Sequence, residues 1–115
     1  MIYLVSKQTK LLNSIRYQPS TFDSAMEYLK RQDVIQLDSE TQGMDCYTKP
    51  ILTLQLGREE HQYVFDWLSL TQEERQQIKE YLESDILVIG FNLMFDLQFL
   101  YRANIFPKNI YDCMI

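Results

Sequence analysis

The sequence predicts an α/β layered domain with a mixed β-sheet. Short β-rich apolar runs, two of them flanking a tight turn, alternate with longer stretches of helical period. Gly and Pro are scarce, at three each, in a chain with 46% apolar and 13% aromatic residues. There are no repeats, low-complexity tracts or linkers. At 115 residues the chain suits a single domain, residues 1–115, able to bury roughly two thirds of its unfolded surface.

After a short apolar start, IYLV, a polar stretch runs to Pro19. Ser20 or Thr21 can then cap a helix in which Phe22, Ala25, Met26 and Leu29 recur at helical spacing. Val34 to Leu37 reads as a strand, Gly43 marks a turn, and ILTLQLG, residues 51–57, is a second strand apolar enough to be buried. Gly57 through His61 is a tight connection into QYVFDW, making a hairpin with His61 as a solvated turn residue. Thr71 with Glu74 three residues on is a capping-box pattern, and Ile78, Tyr81 and Leu82 give the helix that follows one apolar stripe, ending near Ser84. DILVIGFN is a short β-rich run broken at Gly90. From Asn92 the pattern LMFDLQFLYRAN is helical in length and apolar almost all round, which predicts a buried helix closed by Asn104 and Pro107. The chain closes with NIYDCMI, a strand or the start of one more helix. Its last residues, Cys113, Met114 and Ile115, are apolar, which predicts that a following segment packs there.

No apolar run approaches the roughly 20 residues a membrane helix needs, and MIYLVSKQTK lacks a basic region ahead of a long apolar stretch. No membrane partner and a cytoplasmic location are expected. Cys46 and Cys113 belong to no CxxC-type pair, so free thiols are expected rather than zinc or a disulfide framework. The formal charge of -5 argues against a broad basic surface for nucleic acid. It leaves open a protein that grips a strand locally through cations, which reverse the sign of an acidic cluster.

VIQLDSETQGMD, residues 34–45, sets Asp38 and Glu40 two positions apart. On a strand that spacing puts both on one face if the strand persists that far. Asp96 lies in NLMFDLQFLY among apolar neighbours, where an unpaired carboxylate costs several kcal/mol. It must be exposed on one helix face, paired with Arg102 or a sheet residue, or bound to metal. Asn92 is four residues before it and has the composition of an N-cap, in a first turn whose N-H groups and dipole favour anions such as phosphate. Two carboxylates at a strand end and a third from a helix opening after another strand suit hard divalent cations. A pair of these about 4 Å apart can clamp the attacking water and the leaving oxygen of a phosphodiester.

LDSETQGMD resembles the first motif, and GFNLMFDLQFL the second, of the DEDD superfamily of 3'-5' exonucleases, and is most similar to the proofreading domains of family A DNA polymerases. YTKPILTLQLGREEHQYVFD is similar to the two strands that follow the first motif, and IYDCMI to the fifth-strand segment. The resemblance covers residues 21 to 115 and implies a ribonuclease H-like mixed sheet with flanking helices. It also implies two Mg2+ or Mn2+ ions and hydrolysis at the 3' end of single-stranded DNA, with RNA the alternative substrate. It makes Asp38 a ligand of both metals, Glu40 a ligand of the nucleophile-side metal, and Asp96 a ligand of the second, directly or through water. Thr41, Gln42, Gly43 and Met44 match the stretch that meets the terminal nucleotide, and Asn92 a polar position touching substrate or the metal network. TQGMD, residues 41–45, is closer to polymerase domains than to ribonuclease D, which favours DNA.

The family's fourth carboxylate, in a Tyr-x-x-x-Asp or His-x-x-x-Asp motif, has no match in these residues. Asp112 falls at the fifth-strand position and reads as structural. The expectation is the N-terminal part of a family domain, with impaired hydrolysis, completed by a missing C-terminal segment or a partner chain. Part of one sheet face should then lie open, with an apolar patch that favours a homodimer. The rival readings are a non-catalytic nucleic-acid- or protein-binding relic of the fold and a ribonuclease D-like RNA exonuclease.

Overall fold

A computed structural model describes residues 1–7 and 17–114. Most of the polar stretch before Pro19, and the terminal Ile115, lie outside these. The elements are β1 (Ile2–Val5), β2 (Gln18–Pro19), α1 (Phe22–Lys30), β3 (Val34–Thr41), β4 (Ile51–Gly57), β5 (Gln62–Asp66), a 3-10 turn (Trp67–Ser69), α2 (Gln72–Leu82), β6 (Leu87–Gly90), α3 (Leu93–Arg102) and β7 (Ile110–Asp112). The strands form one mixed sheet in the order β2-β1-β5-β4-β3-β6-β7. β3, β4 and β5 are an antiparallel meander, while β6 and β7 add in parallel on the free side of β3. β1 adds in parallel to β5. IYLV therefore is a strand, which four apolar residues could not announce by themselves because its partner is 60 positions away, Ile2 pairing with Gln62.

Period-two alternation assigns the two faces. Ile35 and Leu37 of β3, Leu54 and Leu56 of β4, Tyr63 and Phe65 of β5 and Val88 of β6 point to one side. There they join a single buried cluster with Phe22, Ala25, Met26 and Leu29 of α1, Ile78, Tyr81 and Leu82 of α2, and Leu93, Leu97 and Leu100 of α3. The helix starts follow their expected chemistry. Thr21 Oγ1 accepts from Ser24 N at 3.1 Å. Thr71 and Glu74 form a reciprocal capping box at 2.8 and 3.0 Å. Inside, the Tyr81 hydroxyl donates to the Leu29 carbonyl at 2.7 Å, tying α2 to α1, and burial pushes its pKa up.

Among the described residues no helix covers the other face of the central strands, and its centre is polar rather than apolar. Gln62 Nε2 donates to Gln36 Oε1 at 2.9 Å across β4, and Gln55 Nε2 to Gln62 Oε1 at 3.4 Å. The bridge passes over Gly57, where a side chain would also strike the hairpin: an added Cβ would stand 2.2 Å from the His61 carbonyl oxygen.

Two expectations change. α3 is not buried all round: Leu93, Asp96, Leu97, Phe99 and Leu100 face inward while Met94 is 64% and Tyr101 44% exposed. An apolar composition specifies no periodicity, and the single helix-covered side of the sheet offers α3 only one face to bury. His61 is half-buried rather than a solvated turn residue, its ring 5.5 Å from Tyr3 and 5.4 Å from Tyr28. Both cysteines are free. Among the described residues no helix is long and apolar enough to cross a membrane.

Candidate active site

β3 runs on to Thr41, so Asp38 and Glu40 share one face, and both are exposed. They oppose Gln55 and Thr53 of β4. On its other edge β3 pairs with β6 only as far as Gln36 and Ile89. From Leu37 onward that edge is unpaired. β6 stops at Gly90, where the backbone turns tightly over it: a Cβ on Gly90 would stand 2.8 Å from the Leu37 carbonyl oxygen and 2.6 Å from Leu93 Cδ2. This close approach lays the first turns of α3 beside the unpaired edge. Asp96 is brought there 4% exposed, with Oδ1 accepting the Ser39 hydroxyl.

Asp96 is thus paired, and its partner is a sheet residue. Arg102 is not involved, since its guanidinium lies 4.9 Å from the centre of the Tyr47 ring. Ser39 points to the helix side of β3 while Asp38 and Glu40, its neighbours, point to the open side. One short stretch therefore presents two carboxylates on one face and holds a third from the other. Ser39 was not a sequence candidate, and the only signal for it was its place between the two acids.

Burial pushes the Asp96 carboxyl above the usual carboxylate range; the Ser39 hydrogen bond draws it back and the nearby charge of Asp38 raises it further. A raised pKa in the fold means that the buried charge opposes folding at neutral pH. The relative stability is full below the unfolded-state pKa and is lost as pH rises through the folded one. Asp96→Asn, whose amide oxygen can still accept from Ser39, should raise the thermal midpoint at pH 7 by a few degrees, with the gain vanishing in acid as the wild-type carboxyl protonates. Thermal melts across pH would show a pH-independent or negative difference if burial were not the cause.

The head of α3 departs from expectation. Asn92 stands at the N-cap position, but its backbone is left-handed, at φ 58° and ψ 48°, and its side chain makes no cap hydrogen bond. The cap comes from Asp112, whose two carboxylate oxygens accept from Asn92 N and Leu93 N, each at 2.9 Å. The anion favoured at this N-terminus is therefore the protein's own carboxylate, which leaves no reason to assign phosphate there. Asp112 is structural, as expected from its strand position.

Thr41 to Met44 turn away from the end of β3. The Thr41 hydroxyl donates to the Gly43 carbonyl at 2.6 Å, Gln42 N to the Pro50 carbonyl at 3.1 Å, and Met44 is 83% exposed. Among the described residues no three His, Cys, Asp or Glu side chains gather closely enough to hold one ion. Asp38 and Asp96 nevertheless suit a divalent cation in donor type, being hard oxygen ligands whose mutual repulsion a cation would relieve. Glu40 extends the same acidic strand face.

Residues 14–115 match the family model described as 3'-5' exonuclease. The chain belongs to the 3'-5' exonuclease family. Enzymes of this family are hydrolases that depend on divalent metal ions. The chain is 37% identical over 91 residues to DNA polymerase I of Aquifex aeolicus (strain VF5), an alignment covering 79% of this chain and 14% of the polymerase. Among solved structures it resembles Trypanosoma brucei RNase D in complex with RNA U12, at TM-score 0.73 and 19% identity over 96% of this chain and 37% of that one. It also resembles the EXO domain of Aedes aegypti Nibbler, at TM-score 0.70 and 18% identity over 96% of this chain and 52% of that one. The chain thus spans 14% of the polymerase and 37% and 52% of the two solved chains. The expected ribonuclease H-like architecture is the one observed.

Proposed function

We propose that residues 1–115 act as one unit in metal-dependent removal of nucleotides from the 3' end of single-stranded DNA. The observation that carries the reading is the buried Asp96, which accepts the Ser39 hydroxyl, has no lysine or arginine partner among the described residues and stands within the field of Asp38. In a family of metal-dependent exonucleases, such a carboxylate is accounted for by an ion. Asp38 and Asp96 would share it, Glu40 would offer a further oxygen ligand from the same strand face as Asp38, and bound divalent ions would polarise the attacking water and the leaving oxygen. Ser39 orients Asp96, Asp112 anchors the helix that carries it, and the exposed residues Gln42 and Met44, with Asn92, stand at the same end of the sheet to receive the terminal nucleotide. The identity to a DNA polymerase, higher than that to the solved RNase D, favours DNA.

Titrating Mn2+ against thermal stability tests the site, because a ligand that binds only the folded state stabilises it by mass action. The wild-type midpoint should rise, and Asp38→Ala and Asp96→Ala should abolish the response. No rise in the wild type would support the non-catalytic relic instead. With three of the family's four carboxylates, these 115 residues should cleave a 5'-labelled strand slowly. Rapid degradation lost in Asp38→Ala would contradict the slow rate and confirm the site, and matched DNA and RNA strands decide the substrate.

A further inference from the structure

On the helix-covered side, at the same end of the sheet as Asp38, a cavity of about 380 Å3 opens between the loop after β3, the 3-10 turn and the C-terminal half of α3. Lys49, Arg75 and Arg102 line it, and no Asp or Glu does. In a chain with 16 acidic and 11 basic residues that is an unusual local balance. Among the described residues the ion pairs are Lys7 with Glu74, Lys79 with Glu83 and Lys108 with Asp85, so the three lining cations carry no carboxylate partner. The carboxylate nearest Lys49 in sequence, Asp45, is turned to its own loop, accepting from Tyr47 N at 2.9 Å and Thr48 Oγ1 at 3.1 Å, and Glu74, next to Arg75, is engaged by Lys7 and Thr71 N.

Two aromatic rings frame the cavity. Arg102 lies over Tyr47, which is 74% exposed, and Arg75 lies 5.2 Å from the centre of the Trp67 ring. Arg75 is further held by hydrogen bonds to the Trp67 carbonyl at 3.2 and 2.7 Å. Arg75 thus uses its Nε and Nη2 groups on that carbonyl, whereas the Arg102 guanidinium over Tyr47 keeps its N-H edge free, a geometry suited to phosphate oxygens. An exposed ring beside unpaired cations is also the combination that single-stranded nucleic acids use, stacking a base while the backbone is neutralised. Both walls lead back to the acidic end: the loop begins where β3 ends, and Arg102 lies six residues beyond Asp96 on α3, about 9 Å along the helix axis.

We infer that this cavity holds the phosphodiester backbone of the single strand whose 3' end lies at Asp38 and Asp96, with Tyr47 stacking a base. The inference rests on the proposed function but concerns residues outside the acidic site. The test is fluorescence polarisation of 5'-fluorescein dodecathymidylate with the full chain, in EDTA, across a range of KCl concentrations. Lys49→Gln/Arg102→Gln should weaken binding roughly tenfold and flatten the logarithmic salt slope by about 1.4, for two lost phosphate contacts on a single strand. Lys30→Gln/Arg31→Gln removes the same charge elsewhere and should leave the slope unchanged. Tyr47→Ala, which deletes an exposed ring and cannot disturb the core, should weaken binding without changing the slope. Equal behaviour of the two double variants would overturn the cavity and leave the metal site standing. A wild-type chain that binds no strand while still responding to Mn2+ would overturn the cavity alone, and loss of both responses would remove the exonuclease reading with it.

Discussion

Gly90→Ala should destabilise the fold by about 2 to 3 kcal/mol, the upper part of the range for inserting one carbon into a packed site. The added Cβ would stand 2.8 Å from the Leu37 carbonyl oxygen, a backbone atom in the middle of the sheet, and 2.6 Å from Leu93 Cδ2. Neither can retreat easily, because Leu37 is paired with Leu56 and Leu93 is 1% exposed in the core. For a chain of this length the thermal midpoint should fall by about 4 °C per kcal/mol. Gly43→Ala is the control. Its Cβ would meet Lys49 Cγ at 2.9 Å, on a flexible exposed side chain that can swing aside, and the cost should stay below about 1 kcal/mol. Equal midpoints for the two variants would show that the β6–α3 turn relaxes freely. The Gly90 variant should also lose the Mn2+ response out of proportion to its stability, because the displaced α3 carries Asp96 off Ser39.

Asp112→Ala should cost about 2 kcal/mol, since it strips the acceptor from two backbone N-H groups at the head of α3 and a third at Met114 N, 3.0 Å away. Asp112→Asn keeps one acceptor oxygen and should recover roughly half of that. A chemical-denaturation series would separate them, and an alanine variant as stable as wild type would mean that water replaces the carboxylate. The same residue joins β7 to α3, so its loss should loosen the final strand, read as faster amide exchange at Ile110 to Asp112.

Asp38 and Glu40 were legible because strand geometry needs only the spacing of two residues and a run long enough to reach them. Thr71 and Glu74 were legible for a similar reason, as both partners of the capping box lie within one turn. Ser39 was not, because its partner Asp96 is 57 residues away. The place of Asp112 on the last strand is local in the sequence, but what it supports is not, since the left-handed Asn92 and the two N-H groups it caps lie 20 and 19 residues upstream. Asn92 occupies the N-cap position that composition suggests, but its side chain does not make the cap bond, because a carboxylate from β7 is within reach and offers two acceptors.

The sequence alone determined the alternation of strands and helices, the family, and which carboxylates could matter, because local period, turn residues and short motifs act between near neighbours. Only the tertiary structure decided that β1 joins the sheet, that Ser39 rather than Arg102 holds Asp96, and that Asp112 rather than Asn92 caps α3. It also decided that Lys49, Arg75 and Arg102, from three separate segments, meet around one cavity. Each of these depends on a sheet register and on the crossing of an unpaired strand edge by a helix, which are settled by burial over the whole chain rather than by any short stretch of it. VIQLDSETQGMD therefore named Asp38 and Glu40, and the fold supplied Asp96 with its hydroxyl partner and the helix that brings it to them.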